Sequence, residues 1–208
     1  MSLKKFIATL VLVGASVSAQ ASSYSFSCVT HNLAKDCATG ASQLGLSVTE
    51  NGSYVDFLFS NIGPQKSSIT DIYFDWSKAR FALSKDNAIF TSSPDVFFSW
   101  GANPKDLPGG GTFSANLGAD SDSPIRPNGV NPDEWLKISF AGETFANVVA
   151  SLGNGGLNVG LHVQGFQGGG SESFVLTPVP EPETYAMMLA GLGLMGFVSR
   201  RRRATAKA

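Results

Sequence analysis

Few residues in this chain have the types and spacing for chemistry. Cys28 and Cys37 stand nine positions apart. That suits a disulfide in an oxidising compartment or a pair of thiolate ligands. A metal needs more ligands, and between the cysteines only His31 can supply one. The spacing therefore favours a disulfide, worth about 2–3 kcal/mol for so short a loop. His162 has Ser171 and Glu172 nearby in sequence. These are the parts of a Ser–His–acid set, but such sets are defined by geometry rather than proximity. An exposed strand histidine is the simpler reading. Asp71 with Asp75, and Asp133 with Glu134, are carboxylate pairs of the kind that hydrolyse glycosides. On one strand Asp71 and Asp75 would share a face at about 13 Å, wider than either glycosidase spacing. Asp133 and Glu134 would face opposite ways. Asp120, Asp122, Asn128, Asn131 and Asp133 offer hard oxygen atoms of the kind calcium takes. Their order does not match an EF-hand, and turn capping accounts for them more simply.

No GxSxG elbow, HExxH pair or P-loop is present, and two histidines exclude a His-rich metal site. No catalytic residue, metal site or cofactor is assigned, and the chain is expected not to be an enzyme. Of the three tryptophans, Trp76 and Trp100 fall at strand ends beside loops. There they could present ring faces to a sugar, although core packing is the commoner fate of tryptophan. Trp135 begins a strand and reads as core.

The elements that must position these residues are mostly strands. Leu44, Leu46 and Val48 alternate with small or polar residues, as do Val55, Phe57 and Phe59. The two runs join through Asn51-Gly52, a strong hairpin signal. Asn51-Gly52-Ser53 is also a glycosylation sequon, but the turn reading takes precedence. Further strands are predicted at 68–75, 80–83, 88–91, 95–100, near Phe113, at 135–140, 157–163 and 174–177. Residues 101–133, rich in Pro, Gly, Asn and Asp, read as a long irregular loop. Phe145, Val148, Val149 and Leu152 mark one face of a helix that stops at Gly153-Asn154-Gly155. Many short strands and one short helix predict an all-β fold: an antiparallel β-sandwich, jelly-roll-like.

The chain has distinctive ends. Lys4 and Lys5 precede an apolar run from Phe6 to Val17 and the small-x-small triplet Ala19-Gln20-Ala21. This is the layout of a secretory signal peptide, with cleavage expected after Ala21. Near the other end, Val179-Pro180-Glu181-Pro182-Glu183 precedes a 14-residue apolar run, Tyr185 to Val198, and then Arg200, Arg201, Arg202 and Arg203. The run is short for a transmembrane helix, which needs about 20 residues. The arginines would stay cytoplasmic and leave the body outside.

This tail resembles the PEP-CTERM sorting signal, found in exopolysaccharide-producing Gram-negative bacteria. The resemblance covers about 30 residues and carries no information on the body's activity. It implies recognition by an exosortase, transient anchoring in the inner membrane, and removal of the tail. Signal peptidase and the secretion machinery would be earlier partners, and the cell surface or extracellular matrix the destination.

Three segments follow: a signal peptide over 1–21, an extracytoplasmic domain over 22–176, and a sorting signal with a short transmembrane helix over 177–208. The body holds 8 Lys and Arg against 14 Asp and Glu, so it is net −6 while the whole chain is −1. No basic patch points to nucleic acid. The expected role is a non-catalytic surface or matrix protein associated with exopolysaccharide. A carbohydrate-binding module and a surface hydrolase are the alternatives.

Overall fold

The computed structural model describes residues 20–177 and Leu192. The signal peptide, the PEP motif, the apolar run and the arginine cluster lie outside them, apart from Gln20, Ala21 and Leu192. Among the described residues no helix is long and apolar enough to cross a membrane.

The strands are β1 (Ala21–Cys28), β2 (Leu44–Asn51), β3 (Tyr54–Asn61), β4 (Ser68–Asp75), β5 (Ile89–Ser92), β6 (Phe98–Trp100), β7 (Leu117–Ser121), β8 (Glu134–Ala141), β9 (Asn158–Gln164) and β10 (Ser171–Thr177). The α-helices are α1 (Ala34–Gln43), α2 (Ile125–Asn128) and α3 (Phe145–Asn154). The β2–β3 hairpin forms where the alternating pattern places it. Asn51 pairs with Tyr54, so the turn residues are Gly52 and Ser53, with Gly52 at φ 62°. The turn thus sits one residue later than Asn51-Gly52, with glycine in its first position, where a positive φ is required. The predicted helix also forms: the Thr144 hydroxyl accepts from the Asn147 N–H, and Gly155 closes it at φ 73°.

The expected sandwich of two sheets gives way to one antiparallel sheet of ten strands in the order β5-β8-β3-β2-β1-β10-β9-β4-β7-β6. β1 and β10, from the two ends of the described chain, pair at the middle of this sheet. The sheet curls until it nearly closes. Phe57 on β3 meets Phe74 on β4 edge-on at 5.5 Å, although four strands separate them along the sheet. The edge strands also meet: Phe90 of β5 and Trp100 of β6 lie 4.7 Å apart between ring centroids. At this seam the two edges meet through an aromatic contact instead of a hydrogen-bond ladder, so the barrel stays nearly closed and its edges are partly shielded. Phe57, Phe59, Phe74 and Phe140 fill the interior in edge-to-face contacts.

Some strand expectations fail. Residues 80–83 and Phe113 are not in strands, and the predicted strand over 95–100 shrinks to Phe98–Trp100. The loop over 101–133 contains β7 and α2. Its first half folds over the outside of the sheet, where Ala102 and Leu107 pack on Tyr73 to make a second small core. β4 is consequently buried on both faces. The helix α1 was not foreseen. It is held by tertiary contacts: Gly40 sits directly against the ring of Phe174, and Gln43 joins a buried amide network with Asn61 and Ser67.

Candidate functional site

Strand alternation sets the positions of the polar side chains. On β10, Phe174 and Leu176 face the core, so Glu172 shares their side and Ser171 and Ser173 face outward. This separates two of the residues suspected of forming a triad. His162 pairs instead with Ser173, its Nδ1 3.2 Å from the hydroxyl oxygen. Ser173 is wholly buried, at 0% exposure, and so is closed to a substrate in this conformation. Glu172 works elsewhere. Its carboxylate accepts from the N–H groups of Asn32 and Leu33, at 3.0 and 2.6 Å, and from the Thr30 hydroxyl. These contacts place a buried negative charge at the start of α1, where the helix dipole favours it.

A polar row runs across the outer face of four neighbouring strands. Strand register aligns Asp120 with Asp71, Asp71 with His162, and His162 with Ser173. The Thr70 hydroxyl donates to Asp71 at 2.8 Å, and the Tyr73 hydroxyl donates to Asp71 at 3.4 Å and to the Pro104 carbonyl at 2.9 Å. Burial, opposed by the Thr70 hydrogen bond, pushes Asp71 up to about 6, with the Asp120 charge adding to the rise. Burial also raises Asp120, lowers His162 and raises Tyr73. This acid pair was missed in the sequence because it depends on which strands become neighbours. The two carboxylate pairs set aside on spacing have separate partners. Asp75 accepts from Ser77 and from the Ser114 N–H, while Asp71 is sealed under the loop. Glu134 accepts from the Asn131 backbone and side chain at 2.8 and 3.0 Å, and Asp133 adopts φ 66° in a turn.

The calcium candidates are dispersed. Asp122 accepts from the Ser99 hydroxyl at 2.7 Å, and the Asn131 amide donates to the Pro127 and Gly129 carbonyls. Among the described residues, the group of three His, Cys, Asp or Glu side chains close enough to share an ion is Cys28, His31 and Cys37; Asp120, Asp122 and Asp133 form no such group. Cys28 and Cys37 are joined as a disulfide.

Trp76 and Trp100 are both half-buried against the main core. The Trp76 backbone N–H donates to the Asn116 side-chain oxygen at 2.7 Å. Trp100 uses part of its ring in the seam with Phe90 and also meets Phe140 at 5.9 Å. Trp100 also lines an open cleft of about 240 Å³ with Lys85, Lys105, Asn116 and Leu117. A second cleft, of about 300 Å³, is lined by Lys66, Ser67, Arg126 and Asn131. Each cleft carries two basic residues and no acid, on a body that is net −6.

Residues 178–203 match the PEP-CTERM protein-sorting motif, which confines that similarity to the tail. Neither the curated proteins nor the solved structures contain a match to the chain. The motif's presence targets an exported, membrane-transiting protein to an exosortase as its processing partner.

Proposed function

We propose that the barrel is the working part of a non-catalytic surface or matrix protein, released from its tail by an exosortase and associated with exopolysaccharide. The sorting motif over 178–203 is the observation that carries this reading. The signal peptide, a transient membrane anchor and final residence at the cell surface or in the matrix belong to the same proposal. The body suits it in two ways. Its acidity favours solubility outside the cell, and Ser173, the serine in contact with His162, is fully buried.

The cleft beside Trp100 favours the carbohydrate-binding reading over a purely structural one. A tryptophan, an asparagine and two lysines form a chemically suitable lining for a sugar bearing a carboxylate. The test is binding of the purified exported protein to the host's acidic exopolysaccharide. The Lys85→Glu/Lys105→Glu variant should weaken binding at least about tenfold and abolish its salt sensitivity. Equal binding by the variant would remove the cleft from the proposal. Release of reducing ends from the polymer would favour the hydrolase reading.

A further inference from the structure

The Cys28–Cys37 disulfide lies inside a nearly complete set of metal ligands. His31 Nδ1 is 3.7 Å from Cys37 Sγ, and Glu172 Oε2 is 3.6 Å from Cys28 Sγ. Neither sulfur carries a proton while the disulfide is intact, so neither contact is a thiol hydrogen bond. Both lengths have another meaning. With zinc–sulfur bonds of about 2.3 Å and zinc–nitrogen or zinc–oxygen bonds of about 2.0–2.2 Å, the edges of a tetrahedral site are about 3.6 Å. Two of its six edges are therefore already in place.

We propose that the reduced chain binds one zinc ion through Cys28 Sγ, Cys37 Sγ, His31 Nδ1 and the Glu172 carboxylate. A dithiol reductant would supply two electrons and two protons: the S–S bond breaks, two thiols form, and the reductant leaves as its own disulfide. Zinc then displaces the two thiol protons. The sulfurs, no longer bonded, part to an edge of about 3.8 Å.

The surroundings support each ligand. His31 is exposed and stands at φ 53°. A left-handed backbone is costly for histidine and tends to persist where the surroundings enforce it; here the conformation brings the imidazole beside Cys37. Exposure also leaves the ring free to close the remaining gap to Cys28, since the three ligand atoms already lie within 4.8 Å of one another. Glu172 is 1% exposed, and the Thr30 hydroxyl and the Asn32 and Leu33 N–H groups that donate to it are all neutral. Hydrogen bonds from the Asn32 and Leu33 N–H groups would hold the carboxylate in orientation, and the Thr30 hydroxyl would rotate away to free a lone pair. The sequence could not show this site because Glu172 lies 144 residues from Cys28.

The test uses the exported protein reduced without oxygen by a phosphine, which takes the oxygen of one water and adds no competing thiol. Zinc is then titrated against a chromophoric chelator, with cobalt(II) as the spectroscopic probe. The expected result is one zinc per chain, a thiolate-to-cobalt charge-transfer band, and no binding to the oxidised protein. His31→Asn preserves a residue that tolerates positive φ and should weaken zinc binding at least about tenfold. Glu172→Gln should do likewise. Circular dichroism of the oxidised variants checks that both fold. The proposal is overturned if reduced wild type binds no tighter than the Cys28→Ser/Cys37→Ser chain. It is also overturned if His31→Asn and Glu172→Gln, both folded, bind zinc as wild type does.

Discussion

Replacing Asp71 by Asn should stabilise the protein at neutral pH and leave it unchanged in acid. The Asp71 carboxyl is 2% exposed on the outer face of β4, under the loop that carries Pro104. Burial raises it from the usual 3.8 to about 6, and the facing Asp120 adds to the rise. A carboxyl raised in the folded chain holds its proton more tightly there than in the unfolded chain. Its favourable contribution is thus complete below pH 3.8 and is lost as pH rises through about 6. At about 1.4 kcal/mol per pH unit, the loss by pH 7.5 is about 3 kcal/mol. Asparagine resembles the protonated acid in shape and keeps an acceptor oxygen for Thr70 or Tyr73. Urea unfolding of both chains between pH 3.5 and 7.5 measures the difference. Asp71→Asn should gain up to about 3 kcal/mol at pH 7.5 and nothing at pH 3.5. A difference that does not vary with pH, or a variant less stable at pH 7.5, would refute the reasoning. Carboxyl carbon NMR gives a second reading. Because burial is the larger cause, Asp120→Asn should lower the Asp71 midpoint only slightly.

Two packing predictions follow from the contacts of α1. A Cβ at Gly40 would overlap the ring of Phe174, which is fully buried. Gly40→Ala should therefore cost about 2 kcal/mol net in urea unfolding, despite a helix-propensity gain of about 1 kcal/mol. Asn61 is fully buried; its amide donates to the Ser67 and Val130 carbonyls, and its oxygen accepts from Gln43. Asn61→Ala should cost about 3 kcal/mol by leaving buried groups without partners, which a lowered urea midpoint at unchanged slope would register.

Much of the β structure was legible because it is local. Alternation in Leu44–Val48 and Val55–Phe59, with a glycine between, specifies a hairpin through backbone geometry alone. The inward set Leu136, Ile138 and Phe140 likewise proved buried, as did Phe145, Val148 and Leu152 of the helix face, with Val149 partly buried beside them. What failed depended on distant partners. α1 has little apolar periodicity of its own and is held by Cys28, Glu172 and Phe174. β7 was hidden in a polar stretch because its Asp120 faces a polar row, and only the small Ala119 is fully buried in the main core, with Leu117 packed at its margin.

The sequence by itself determined the sorting tail and the antiparallel β character, since a processing motif and a period-two pattern are both written in neighbouring residues. Only the tertiary structure decided that the sheet is one curled barrel, because strand order follows from how distant hydrophobic faces bury one another. The same folding aligned Asp71 with Asp120 and brought Glu172 to Cys28. Their chemistry depends on burial and on distances of a few ångströms, and neither is encoded in the spacing of residues along the chain.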